Sequence, residues 1–317
     1  MRCGALRRQV GIQHQAGFAL VIVLWVAALL TVIAGSFAYE VRVETMLVRN
    51  FLGHAQAGTL AEAGIRLGIL SLLSRHASPV GGDVHEASMP EGKVRFSVTA
   101  ETGKIDLNRA PDALIRGLAA SFGNDGDTAS LADAILDWRD ADDLRRLHGA
   151  EDRDYLLAGR QGGARDGPFL TVSELSQVLG MSPDMLGRAH RAATIYSGKA
   201  KIDPSVATRE ALEAVPGLNP AAVDHFLVER DKARSRGQPP PVQLLGGAQS
   251  YLAISKSRIY TVSAEGQTTN GVKAQRSAVV RLTGSRAQPY SVLTWFDSRM
   301  MEEPPDADDT AGSSWTY

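Results

Sequence analysis

The stretch FALVIVLWVAALLTVIAGSF, residues 18–37, decides how this chain is built. It is twenty residues long and carries no charge, and about twenty residues is what an α-helix needs to cross a ~30 Å hydrocarbon core. Seventeen residues precede it, including Arg2, Arg7 and Arg8 and ending on Gly17. A secretory signal carries its apolar run inside the piece that is removed, ahead of a small-residue cleavage site. Here the glycine junction lies on the other side of the run, between Gly17 and Phe18. A protease cutting there, on the cytoplasmic side, leaves the apolar helix on the mature protein. Arginines on the leader side hold that end in the cytoplasm, so the remainder of the chain is expected to face outward.

The helical pattern continues beyond the apolar run. From 38 to 75 there is no proline, and apolar residues recur at helical spacing, among them Val41, Met46, Leu47, Phe51, Leu60, Ile65, Ile69 and Leu72. Ala77-Ser78-Pro79 and Gly81-Gly82 end the pattern. A helix over 18–75 is roughly 85 Å long at 1.5 Å per residue. Its first half suits lipid or neighbouring helices, and its second half suits a globular domain.

After the helix, Lys93-Val94-Arg95-Phe96-Ser97-Val98-Thr99 alternates polar and apolar residues, as a half-buried strand does. The strand pattern then stops. Short helices with polar or proline starts are expected at 111–122, 130–139, 171–179, 183–192, 208–215 and 220–230. Strands return at 258–264 and 272–282, flanking a hairpin loop at 265–271, and a third is expected at 290–296. A sheet split around a helical block makes that block an insertion. The expected organisation is a leader at 1–17, a transmembrane helix at 18–37, a spine helix and first strand at 38–103, an inserted helical domain at 104–257, C-terminal strands at 258–300 and a disordered tail at 301–317. The fold class is α+β, a long helix on a small antiparallel sheet with a large all-helical insert.

The 317-residue chain has a formal net charge of −1 and one cysteine, Cys3, which lies in the leader. Near-neutrality gives no general pull toward nucleic acid or anionic lipid, and a mature chain beginning at Phe18 has no disulfide and no thiolate metal site. The seven histidines show no zinc spacing. No nucleophile elbow, phosphate loop or dinucleotide fingerprint is present. No catalytic residue, enzyme activity or required cofactor is expected.

The helical block repeats itself. Lys104-Ile105-Asp106-Leu107-Asn108-Arg109-Ala110-Pro111-Asp112-Ala113-Leu114 aligns with Lys201-Ile202-Asp203-Pro204-Ser205-Val206-Ala207-Thr208-Arg209-Glu210-Ala211-Leu212, giving related units near 104–143 and 201–231. The second, with Val215-Pro216-Gly217-Leu218-Asn219-Pro220 at its turn, resembles a helix-hairpin-helix unit. The leader, Val23-Leu24-Trp25 in the anchor, Gly103-Lys104-Ile105-Asp106-Leu107-Asn108, and Asp137-Trp138-Arg139-Asp140 followed by Gly149-Ala150-Glu151-Asp152 occur in one order along the chain. Together they resemble the type II secretion minor pseudopilin K family, also called general secretion pathway protein K.

That resemblance implies a single-pass inner-membrane protein with its globular part in the periplasm. It implies cleavage between Gly17 and Phe18 by the prepilin peptidase and N-methylation of Phe18. The implied partners are the minor pseudopilins I and J, with H alongside them, and the inner-membrane assembly platform. Most pilins carry a glutamate at the fifth residue after the cleavage point, where this chain has Ile22. A carboxylate at that depth is costly unless paired, and a subunit without it cannot dock in the ordinary way on one already in place. The K family shares this absence, and its reading is a subunit at the filament tip that helps export folded proteins.

Asp137, Asp140, Asp142 and Asp143 precede a loop that returns Glu151, Asp152 and Asp154. Calcium takes six to eight oxygen ligands from such loops, and the resemblance implies calcium in this domain, although the segment lacks the turn glycine of an EF-hand. The competing reading is a solvated acidic helix end. Helix-hairpin-helix units also suggest a pilus or competence component that binds DNA. That needs cations to displace condensed counterions, yet Lys201, Arg209 and Arg230 face Asp203, Glu210, Glu213, Asp224 and Glu229 in the second unit. No nucleic acid is expected. A third alternative is a membrane-anchored binding domain that is never cleaved.

Overall fold

Helix α1 (Ala16–Leu73) is the first element of the computed structural model, which describes residues 16–74, 82–123 and 127–297. The chain divides into a unit ending at Ala55 and a second beginning at Gln56. In the first, Leu20, Trp25, Leu30 and Phe37 are all exposed. It holds the apolar window of the one described helix that is long and apolar enough to cross a membrane.

In the second unit the remaining turns of α1 bury Ala57, Ala61, Ile65 and Ile69, spaced four residues apart on one face. Strand β1 (His85–Met89) turns through Pro90-Glu91 into β2 (Gly92–Ala100), and the two pair antiparallel. The chain then leaves the sheet. It forms β3 (Ile105–Asp106), α2 (Asp112–Ser121), α3 (Thr128–Arg139), α4 (Asp152–Leu157), α5 (Pro183–Ala192), β4 (Ala193–Thr194), α6 (Arg209–Glu213) and α7 (Pro220–Ser235). It returns as β5 (Ile259–Thr268), β6 (Lys273–Leu282) and β7 (Tyr290–Asp297). The sheet order is β1-β2-β5-β6-β7, all antiparallel, and Ala100 pairs with Tyr260. The helical block therefore exits and re-enters the sheet between two adjacent strands.

The long helix packs on the sheet through glycines. A Cβ on Gly64 would lie 2.5 Å from Val94 Cγ1, and one on Gly68 2.4 Å from Val262 Cγ1. Ile65, Ile69, Val98, Val262, Ala278 and Val280 close the core beneath. A separate core fills the block, with Leu114, Leu118, Ile135, Trp138, Phe169, Leu212 and Phe226 buried together. Side-chain caps start its helices: Asp127 on α3, Ser182 before Pro183 on α5, Thr208 on α6, and Asn219 before Pro220 on α7. Glu101 ties block to sheet. Its buried carboxylate accepts from Thr261 Oγ1 at 2.7 Å and from Thr194 Oγ1, and pairs with Lys104 Nζ at 3.2 Å.

The repeat seen in the sequence is also a repeat of contacts. Ile105 bridges Ala193 in parallel, and Ile202, 97 positions after Ile105, bridges Leu252 in parallel. Asp106 accepts from Ser197 Oγ and Gly198 N, as Asp203 accepts from Ser255 N. Arg139 Nη1 donates to the carbonyls of Leu107 and Ala110; Arg230 Nη1 donates to those of Pro204 and Ala207. Each aspartate holds a turn, and each arginine clamps the strand-to-helix link that follows it.

Several elements differ from the expectation. The helix expected at 171–179 is a 3-10 turn, Val172–Gln177, and the chain is extended again at Val178 before Gly180 at φ 88°. Strand β5 runs on to Thr268, so the hairpin loop is shorter than expected and turns at Gly271, φ 82°. Helix α7 continues to Ser235, β1, α4 and the 3-10 segment Val242–Ser250 are additional elements, and the block expected to be all-helical also holds the short parallel pair β3 and β4. The tail at 301–317 lies outside the described residues.

Candidate functional site

Helix α3 ends on Asp137-Trp138-Arg139-Asp140, and the loop after it folds back against that end. Asp137 is fully buried with both oxygens in use. Arg146 Nη1 donates to Oδ1 at 2.7 Å, and the Arg146 backbone N–H donates to Oδ2 at 3.2 Å. The same guanidinium bridges to Asp140 Oδ2. Burial pushes the Asp137 carboxyl above its usual range, against the pull of Arg146. Gly149 lies so close that a Cβ there would stand 1.9 Å from Asp137 Oδ2. His148 gives its backbone N–H to Asp133 Oδ2 at 3.2 Å.

Glu151, the residue before α4, is 4% exposed, and beyond the capping box it forms with Asp154 its carboxylate has no close hydrogen-bond partner among the described residues. Burial, then Asp137, Asp140, Asp166 and Asp143, push its carboxyl up to about 7. Asp140 Oδ1 is likewise buried without a partner. Asp166, at φ 53°, arrives on the loop that Gly167 N anchors to the Trp138 carbonyl at 3.4 Å. Its pKa is raised by burial and by Asp152, Asp143 and Asp140. Gly163 leaves no room beside Asp152, whose Oδ1 would meet a Cβ at 1.6 Å. Trp138 backs this region, with Tyr155 and Phe169 ring centroids at 5.6 and 6.3 Å.

Of the acidic residues expected at a cation site, Asp137, Asp140, Asp143 and Glu151 share one electrostatic neighbourhood. Asp142 instead caps its own turn, accepting from Leu144 N at 3.1 Å. Asp154 accepts from Glu151 N at 3.1 Å and from Arg145 Nη1 at 3.2 Å. Asp166 was not expected there, since nothing in its local sequence announces a loop that returns to the end of α3. Among the described residues, no three His, Cys, Asp or Glu side chains are gathered closely enough to grip a metal ion as they stand.

Gly17 and Phe18 lie in the first turn of α1, and the leader before Ala16 lies outside the described residues. Ile22 is on the exposed apolar part of that helix. In the second repeat, Gly217 takes φ 84° at the hairpin turn. Arg209 is paired with Asp224 and Glu213, and Arg230 is buried. Arg209 is exposed and held by those two carboxylates, while Arg230 Nη1 holds two backbone carbonyls.

Residues 98–198 match the family model described as the type II secretion system protein K. A solved structure similar to the chain is the GspK-GspI-GspJ complex from the type 2 secretion system of enterotoxigenic Escherichia coli. The matched chain is 16% identical with a TM-score of 0.52, over 81% of this chain and 99% of that one. At that identity the likeness is one of fold. No curated protein matches the sequence.

Proposed function

We propose that the chain is a member of the type II secretion system protein K family, whose model matches residues 98–198, and that it works as a minor pseudopilin at the tip of a periplasmic pseudopilus. The observation that carries this reading is the helical block between two adjacent strands of a spine-helix-and-sheet fold, matched over its first repeat. In this reading α1 anchors the protein in the inner membrane with residues 18–37, and the prepilin peptidase cuts between Gly17 and Phe18. The new amino group of Phe18 is methylated. Small residues such as Ala27, Ala28, Ala34 and Gly35 let neighbouring helices approach closely in lipid. Ile22 removes the carboxylate with which an ordinary subunit docks on one already in place. The block is bulky enough to prevent stacking above it, which suits a tip subunit of a filament that exports folded proteins.

The partners proposed are the minor pseudopilins I and J, because GspK of the similar structure was crystallised with GspI and GspJ. Co-expression of the full chain with I and J from the same bacterium, followed by purification in detergent, tests this. Recovery of one complex holding all three supports the proposal; a chain that elutes alone from a mixture in which I and J bind each other contradicts it.

Calcium belongs to the same proposal. The donor set is all carboxylate oxygen, the chemistry a hard cation takes, and Glu151 offers a buried carboxylate with no close partner beyond its capping box among the described residues. A buried carboxylate among like charges calls for a cation. The residues that would hold it are Glu151 with Asp140, Asp143, Asp152 and Asp166, and the ion would offset their mutual repulsion. Calcium is expected to raise the melting temperature of the wild type and to do so much less in Glu151→Gln. Equal shifts in both proteins, or none in the wild type, would remove calcium from the account.

A further inference from the structure

An open cavity of about 560 Å³ lies between the second repeat and the sheet. Thr102, just past β2, and Tyr260 of β5 form its sheet side, while Arg230 and Arg234 of α7 and the segment bearing Ser255 and Lys256 form the other. Three polar atoms of its lining residues have no hydrogen-bond partner among the described residues: Thr102 Oγ1, Arg230 Nε and Ser255 Oγ. Thr102 is 3% exposed and Arg230 8%. Leaving a buried polar group unpaired is costly, so three at one cavity require an explanation.

Comparison of the two repeats supplies part of it. In the first, the guanidinium of Arg139 clamps two carbonyls and also pairs with Asp112 at 3.3 Å. In the second, Arg230 clamps the equivalent carbonyls, but the position equivalent to Asp112 is Arg209, which is itself paired with Asp224. The nearest carboxylate oxygen to Arg230 Nε, Asp231 Oδ1, is 3.6 Å away, beyond hydrogen-bond reach.

The charges that face the cavity favour an anion. Its lining has three cations, Arg230, Arg234 and Lys256, against one carboxylate, Asp203. That carboxylate is already occupied, accepting from Ser205 N, Ser205 Oγ and Ser255 N at 2.9, 2.5 and 2.8 Å. Arg234 is shared between Asp231 and Asp83 at 3.0 and 3.3 Å on the outer side. Arg230 Nε and the two hydroxyls remain as donors, with the exposed Lys256 at the rim.

We infer that this cavity binds an oxyanion, a carboxylate or phosphate group, held by Arg230 Nε, the hydroxyls of Thr102 and Ser255, and the Lys256 ammonium. The group can reach the cavity on a free small anion or as the carboxylate at the end of a peptide chain. Both are the same chemistry to these donors, since each offers a compact set of acceptor oxygens to charge-assisted hydrogen bonds.

The test is titration calorimetry on the full chain in detergent micelles with inorganic phosphate, acetate, a short peptide with a free C-terminal carboxylate, and the same peptide amidated. Arg230 also clamps two carbonyls, so its replacement confuses folding with binding. Thr102→Val, which keeps the shape, and Lys256→Ala, at an exposed site, avoid this, and unchanged melting curves verify both. Each is expected to weaken binding about five- to tenfold, the loss of one charge-assisted bond. The peptide binding only with its free carboxylate identifies a chain end, whereas phosphate or acetate binding alone identifies a free anion. If no probe binds at millimolar concentration, or both variants bind as the wild type does, the inference is overturned.

Discussion

At Gly149 a Cβ would lie 1.9 Å from a carboxylate oxygen of Asp137, which the Arg146 side chain and backbone both hold in place. The carboxylate cannot swing away without losing those bonds. Gly149→Ala is therefore expected to destabilise the chain by about 1–3 kcal/mol, the usual cost of overpacking. Chemical denaturation followed by tryptophan fluorescence, with Trp138 in the adjoining core, measures it; an unchanged midpoint would mean the loop relaxes freely. Glu151 gives a pH dependence of defined sign. Its pKa of about 7 in the folded chain lies above the ordinary 4.5, so the folded state holds the proton more tightly than the unfolded one. Its contribution to stability is full below about pH 4.5 and is lost as pH rises through about 7. In the presence of a chelator, the wild type is expected to lose stability relative to Glu151→Gln between pH 5 and pH 7.5. Parallel melting curves for the two proteins would contradict this.

Among the elements, the repeat makes the sharpest claim. Arg139→Met and Arg230→Met each keep an apolar stem but lose two hydrogen bonds to carbonyls. Each should cost about 3 kcal/mol by chemical denaturation, and a large loss from only one would mean that the two units are alike in sequence but not in how they are held. The contact of α1 with the sheet sets two effects against each other. Gly64→Ala gains about 1 kcal/mol of helix propensity, but its Cβ would lie 2.5 Å from Val94 Cγ1 and 2.7 Å from Ala264 Cβ. Overpacking of this kind costs about 1–3 kcal/mol and outweighs the gain, so the variant is expected to be less stable in the same denaturation assay. A more stable variant would show that the helix can lift off the sheet.

The long helix, β2, β6, β7 and the repeat were legible because each rests on a local period or on residues aligned within the chain. Strand β1 was not, since His85-Glu86-Ala87-Ser88-Met89 is a largely exposed edge strand with no apolar alternation. Nor was the arrangement of the acidic loop. Arg146 looks in sequence like a dilution of acidic charge, yet it bridges Asp137 and Asp140. Asp166 joins them only because its loop returns to Trp138. Such convergence is tertiary, and spacing along the chain does not encode it.

For the whole molecule, an apolar helix long enough to cross a membrane leads into a helix-and-sheet scaffold with a helical block inserted between two of the strands. The leader junction, the apolar Ile22 and the inserted block are three separate features that a tip subunit of a secretion filament would need together. In the proposed reading the peptidase needs the glycine at the junction, so processing and secretion are expected to fail together when Gly17 is replaced. The measurement that tests this most directly uses a strain deleted for the gene and complemented with either the wild type or a Gly17 variant, comparing culture-supernatant proteins and DNA uptake. The account predicts that secretion is lost on deletion, returns with the wild type and does not return with the Gly17 variant, while DNA uptake is unaffected throughout. Normal secretion in the deleted strain, or a loss of DNA uptake alone, would contradict it.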